Sequence, residues 1–204
     1  GSVDLTRLRS SLSIIPQEPC IFKGPLRECV DPFDQHSDKA VWHALDATQI
    51  GDAVRRLDGG LAAPVAADGE NFSVGQRQLL CIARALLKQT TIVVMDEATA
   101  NVDSKTDIAL TKAIRDGFSK DTTMITVAHR LDTVADSDKV LVLDRGTVGE
   151  FGHPHELLQD NASAFFDLVH CMDSDAAAQV TAVARRHFEE QPPVVTETAV
   201  QVTI

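Results

Sequence analysis

Ile92-Val93-Val94-Met95-Asp96-Glu97 is a short apolar run that stops at two adjacent carboxylates. Its β-branched residues and weak alternation predict a strand buried in a parallel sheet that is covered on both faces. Three other runs have the same character, at 12–15, 124–127 and 140–143. Two of these also lead to a polar residue that packing does not require. Ile14-Ile15-Pro16 runs into Gln17, and Ile125-Thr126-Val127-Ala128 runs into His129. Ligands of open parallel sheets bind beyond the carboxyl ends of the strands, so Gln17, Asp96, Glu97 and His129 are expected at one edge. The first carboxylate of such a pair can position Mg2+, and the second can orient or deprotonate a water. Taken alone, two acids after an apolar run also describe a solvated strand end.

Helical patterns lie between the strands. Ser37 is placed to cap a run that contains Val41 and Leu45. Residues 76–88 set Leu79, Ile82, Ala83, Leu86 and Leu87 on one face, with Arg77, Arg84 and Lys88 on another. A third helix is expected over 104–118, ending around Gly117. Strands alternating with helices give an α/β fold. The Gly- and Ala-rich stretch 59–71 has no period and reads as a loop. Asp144-Arg145-Gly146 reads as a hairpin turn between 140–143 and 147–151. After Met172 the pattern fades into a tail, 173–204. Within it 175–190 reads as an Ala-rich helix and 194–204 as a flexible end.

Phe72-Ser73-Val74-Gly75-Gln76-Arg77-Gln78 opens the 76–88 helix. Ser73 can supply a capping hydroxyl, and Gly75 has no side chain to hold a phosphate away. Free N–H groups and the positive dipole end at a helix start favour an anion. In isolation, Ser and Gly at a helix start are only a capping signal.

Together, and in this order, these residues resemble the ATP-binding-cassette (ABC) ATPases. Gln17, within Ser13-Ile14-Ile15-Pro16-Gln17-Glu18-Pro19, is similar to that family's Q-loop. Ser73-Val74-Gly75-Gln76 resembles the signature loop, and Asp96-Glu97 the Walker B acids. Ala100-Asn101-Val102-Asp103 resembles the D-loop, and His129 the switch histidine. The resemblance spans roughly residues 4–168. It implies a P-loop-NTPase-like parallel sheet flanked by helices, in a partial nucleotide-binding domain over 1–172 with a small helical subdomain at about 24–88.

The resemblance also implies roles. Glu97 would polarise water and His129 would contact the γ-phosphate. Asp96 and Gln17 would hold Mg2+, with Gln17 also linking the site to membrane coupling helices. Ser73, Gly75 and Gln76 would reach an ATP held by a partner domain, and the D-loop Asp103 would serve the same cofactor. ATP and Mg2+ are the implied cofactors. The implied partners are a second nucleotide-binding domain, head to tail, and the transmembrane domains of the same transporter. Such an ATPase powers export from the cytoplasmic face of a membrane.

Phe72 and Val74 depart from the family's Leu-Ser-Gly-Gly-Gln, and the D-loop departs from its Ser-Ala-Leu-Asp. Val74, the D-loop and the sequence around Gln17 are similar to the second domain of C-subfamily (multidrug-resistance-associated) exporters. The sequence contains no GxxxxGK[ST], the P-loop whose backbone cradles phosphates. That loop is expected before Gln17, where sixteen residues stand. The expectation is a domain lacking its first part, which alone binds MgATP negligibly and is inactive.

The totals fit this reading. A length of 204 residues suits one domain, and 44% hydrophobic with 24% charged residues is ordinary for a globular protein. A net charge of −11 disfavours nucleic acid as a partner. No apolar run approaches the ~18 residues of a membrane span, and Gly1-Ser2-Val3-Asp4 shows no signal-peptide pattern. Cys20, Cys29, Cys81 and Cys171 lack metal-ligand spacing and read as reduced thiols. His153 and His155 flank Pro154 at an expected helix start. A chromosome-maintenance ATPase would insert a long coiled coil between Q-loop and signature. Gln17 and Phe72 are only 55 positions apart, without sustained heptads. A non-catalytic remnant that binds a partner domain stays open, because the P-loop is missing, although Glu97 and His129 speak for a catalytic parent. In a full-length parent, Glu97→Gln should preserve ATP binding and slow hydrolysis about 10²–10⁴-fold. Turnover within about twofold of native would remove Glu97 from the role.

Overall fold

A computed structural model describes residues 4–96, 104–128 and 130–190. The chain forms two compact units, Gly1–Val127 and Ala128–Ile204. In the first, the described elements are α1 (Leu5–Ser11), β1 (Leu12–Ile15), β2 (Gly24–Pro25), α2 (Leu26–Val30), α3 (Asp38–Ala47) and α4 (Gly51–Arg55). They continue with β3 (Pro64–Val65), α5 (Val74–Lys88), β4 (Ile92–Asp96), α6 (Ser104–Gly117) and β5 (Thr123–Val127). The sheet order is β1-β4-β5, with both pairings parallel. The expected strands and helices therefore form close to their expected limits.

Local chemistry accounts for the main helices. Ser37 accepts from the Ala40 N–H and starts α3, which buries Val41, Ala44 and Leu45. Helix α5 buries ten of its fifteen residues, so it is covered well beyond the single apolar face that periodicity suggests. The neighbours α2, α3, α6 and β1 close around it. The loop expected over 59–71 is more ordered than its composition implies. Two 3-10 turns flank β3, which pairs antiparallel with β2. Asn71 holds the stretch, accepting from the Ala66 N–H and donating to the Pro64 carbonyl, each at 3.0 Å.

Two expectations about the sheet need correction. It is not covered on both faces. Ile15, Val93 and Met95 point into the core, whereas Ile14 is 64% exposed and edge strand β5 is exposed along its length. Period-two alternation explains the pattern in β1 and β4, whose inward side packs in the α5 core, whereas β5 is exposed at all five residues. Nor does 140–143 join the parallel sheet. It forms β6 (Val140–Asp144), antiparallel to β7 (Thr147–Gly152). Arg145 and Gly146 have φ of 49° and 81°, the left-handed pair that a two-residue hairpin turn demands.

In the second unit β6 and β7 are followed by α7 (Pro154–Leu157), α8 (Ala164–His170) and α9 (Ser174–Glu190). The sequence reading ends its domain at 172 and begins a tail there. The structure instead packs Val180 and Ala184 of α9 into one cluster with Val140, Phe165 and Val169. Small alanines let the helix approach closely, which a hydropathy reading undervalues. The end of the expected tail, 194–204, lies outside the described residues.

His153 links α7 to α9. It is 1% exposed, caps α7 at the expected helix start, and accepts the His155 N–H at Nδ1 (3.1 Å). The proton must then sit on Nε2, which faces His187 Nδ1 at 3.3 Å. Burial first, and the nearby His187 second, hold the His153 pKa below its usual value. Glu156 opposes that shift, whereas Lys139 and His155 add to it. The unfolded chain thus takes up the proton first. The stabilisation is complete above about pH 6.5 and is lost as pH falls toward the depressed folded value. Hydrogen exchange of α9 amides, corrected for intrinsic rates, should therefore be faster at pH 5.5 than at pH 7.5. His153→Leu should flatten that dependence.

Candidate nucleotide site

Strand register builds one half of the site. Ile15 lies opposite Met95, and Asp96 lies opposite Val127. The three strands are parallel, so their carboxyl ends share one edge. Asp96 ends β4 and Gln17 follows β1 by two residues, and both are exposed there. The structure therefore brings these two together as the sequence suggests. Glu97, Asp103 and His129 lie outside the described residues.

The head of α5 is the chain's other half-site, the one that the resemblance assigns to an ATP held by a partner domain. Ser73 Oγ accepts the Gln76 N–H at 3.1 Å, and Gln76 Oε1 accepts the Ser73 N–H at 3.0 Å. This reciprocal capping box satisfies two N–H groups that a helix start otherwise leaves unpaired. The side-chain oxygen of Gln76, assigned to the cofactor by sequence, thus serves the helix itself. Ser73 still has a hydroxyl proton to donate. Gly75 is buried, Val74 is 40% exposed at the first helical position, and Phe72 is buried beneath them.

Both halves fit the implied groups chemically. Asp96 and Gln17 offer hard oxygen donors at one edge. Mg2+ typically takes one or two carboxylates and completes its shell with water and phosphate oxygens. Among the described residues no cluster of three or more His, Cys, Asp or Glu forms a cage of its own. The head of α5 offers N–H groups and a hydroxyl suited to phosphate.

Sequence reasoning missed how the halves are joined. Gln78 is 1% exposed, and its Nε2 donates to the Pro16 carbonyl at 3.1 Å, one residue before Gln17. Arg84 donates to the Cys20 and Cys29 carbonyls, and Lys88 to those of Arg9 and Leu12. The signal was a polar residue at 78, in helical line with Gly75 and Ile82. Burial pushes the Cys29 and Cys81 thiols up, so neither is a ready nucleophile.

Comparison with known proteins bears on the family and the fold. Residues 2–100 match the ABC transporter family. The chain carries a domain of that family. It is 44% identical over 198 residues to mouse "ATP-binding cassette sub-family C member 4", covering 97% of this chain and 15% of that protein. It is 53% identical over 169 residues to Arabidopsis thaliana "ABC transporter C family member 5", covering 83% of this chain and 11% of that one. The chain thus spans only a small part of the relatives it matches. A solved structure of a bacterial Atm1-family ABC exporter with ATP bound overlays with a TM-score of 0.75 at 33% identity. That match covers 84% of this chain and 30% of the exporter.

In this ABC domain the capping box should be measurable as stability. Ser73→Ala should cost about 1 kcal/mol, read as a lower urea midpoint at unchanged slope. An unchanged midpoint would mean that Ser73 does not hold the head of α5.

Proposed function

We propose that this chain is a fragment, without the P-loop, of the ATP-binding and ATP-hydrolysing second nucleotide-binding domain of a C-subfamily exporter. The full-length protein would hydrolyse ATP to drive a substrate across a membrane. One observation carries the reading: the β1–β4 register sets Gln17 and Asp96 on one sheet edge, in a unit that also presents the Ser73 helix head. Relatives named as C-subfamily ABC transporters support it. Residues 1–172 would be the partial domain, with 24–88 its helical subdomain and α9 following.

Asp96 and Gln17 would hold Mg2+, which when bound screens phosphate charge. Glu97 would orient the attacking water, and His129 would contact the γ-phosphate. Ser73 and Gly75 would donate to the ATP of a second nucleotide-binding domain, with Gln76 keeping that helix head closed and Asp103 nearby in the D-loop. Among the described residues no helix is long and apolar enough to cross a membrane. Transmembrane domains of the same transporter would supply the membrane path, with this segment at the cytoplasmic face.

The test is Asp96→Asn in the full-length protein. Removing one oxygen charge should raise the Mg2+ concentration for half-maximal hydrolysis at least the ~10-fold that loss of an outer-shell partner costs. An unchanged Mg2+ dependence would overturn the assignment.

A further inference from the structure

We propose that Cys20 and Cys81 form an oxidation site, at which a hydroperoxide oxidises the exposed Cys20 thiol and Cys81 resolves it to a disulfide. The site is separate from the nucleotide reading and stands or falls on its own chemistry.

Cys20 and Cys81 are 61 positions apart in sequence but adjacent in the fold. Cys20 lies in the loop between β1 and β2, and its side chain is exposed. Cys81 lies midway along α5 and is 6% exposed. Its Sγ stands 3.9 Å from the Cys20 carbonyl oxygen. Bond lengths put a carbonyl oxygen about 2.4 Å from its own Cα, so the Cys81 sulfur lies at most about 6.3 Å from the Cys20 Cα. A disulfide brings its sulfurs to about 2 Å. Cys20 belongs to no helix or strand, so rotation of its side chain and a small loop shift can close that gap. The two thiols also act on one another electrostatically. The remaining cysteines are engaged elsewhere. Cys29 donates its thiol to the Phe22 carbonyl at 3.0 Å, and Cys171 belongs to the second unit.

Exposure divides the roles. Cys20 meets the oxidant first: its sulfur attacks the peroxide, the O–O bond breaks, and a sulfenic acid and an alcohol or water leave the step. Burial keeps Cys81 from the peroxide and holds its thiol protonated, which the Arg84 charge opposes. Arg84 also donates to the Cys20 carbonyl at 3.2 Å, which holds the loop beside the same helix face. Cys81 then attacks the Cys20 sulfur. The S–S bond forms, the S–O bond breaks, and the hydroxyl leaves as water with the Cys81 proton. The two thiols supply the two electrons that reduce the peroxide. A buried Cys on a packed helix ordinarily serves as a small hydrophobe. The exposed thiol beside this one is what gives it a partner.

The experiment treats the full-length protein with hydrogen peroxide, alkylates the remaining thiols and maps the unreduced digest by mass spectrometry. A peptide carrying Cys20 should appear joined to one carrying Cys81, lighter than the pair by two hydrogens. Dithiothreitol should release both. Amides of 20–22 should exchange hydrogen more slowly in the oxidised protein and recover on reduction. Cys20→Ser should abolish the joined peptide and leave Cys81 reduced. In Cys81→Ala, Cys20 should accumulate as a sulfenic acid that dimedone traps. If Cys81→Ala does not fold, Cys20→Ser, at an exposed position, still decides. Cys20 joined to Cys29, or carried to sulfinic acid with no link to Cys81, would overturn the pairing. So would a Cys20 left unmodified by peroxide that oxidises free cysteine in the same sample. None of these outcomes bears on the nucleotide reading.

Discussion

The first unit depends on burying α5 from several sides at once. A helix covered by α2, α3, α6 and β1 must bury some of its polar residues, and each buried donor needs an acceptor. Buried Gln78 finds its acceptor on the Pro16 carbonyl, half-buried Arg84 on those of Cys20 and Cys29, and exposed Lys88 adds bonds to the carbonyls of Arg9 and Leu12. The path of the chain through Gln17 is therefore set by hydrogen bonds that α5 requires. Packing and site geometry are one arrangement, seen from the helix or from the loop.

The same logic governs smaller features. Arg27 gathers Asp31, Asp34 and Asp38 around the turn between α2 and α3. Two of its partners are well exposed, so its value lies in ordering that turn more than in net stability. In the second unit Glu150 of β7 accepts from Ser163 Oγ and from the Phe165 N–H, fixing the start of α8 beside the hairpin. His153 ties α7 to α9 through its neutral form. Each unit thus uses a few polar ties to hold short helices that would not persist alone.

Much was legible in the sequence because the signals were local. β-branched runs gave the strands, and Ser37, Ser73 and Pro154 marked helix starts that the structure keeps. The order of Gln17, the Ser73 loop and Asp96 pointed to the family before any contact was known. What escaped was non-local. The Gln78 bond joins residues 62 apart, and no periodicity encodes it. By contrast, the hairpin of 140–143 with 147–151 was legible from its local turn, and only the apolar, β-branched composition of 140–143 suggested a place in the parallel sheet.

The sequence by itself determined which residues are candidates for the chemistry and what kind of element bears Gln17, Ser73 and Asp96. Those facts follow from side-chain type and short-range spacing, which the chain carries whatever its fold. The tertiary structure alone decided that β1 lies beside β4, which brings Gln17 and Asp96 to one edge. It also decided that α9 closes the second core instead of trailing from it. Both outcomes depend on which apolar faces find each other across long separations. That choice is made by the whole core at once, by burial and closure of the chain, and no short stretch of sequence can make it.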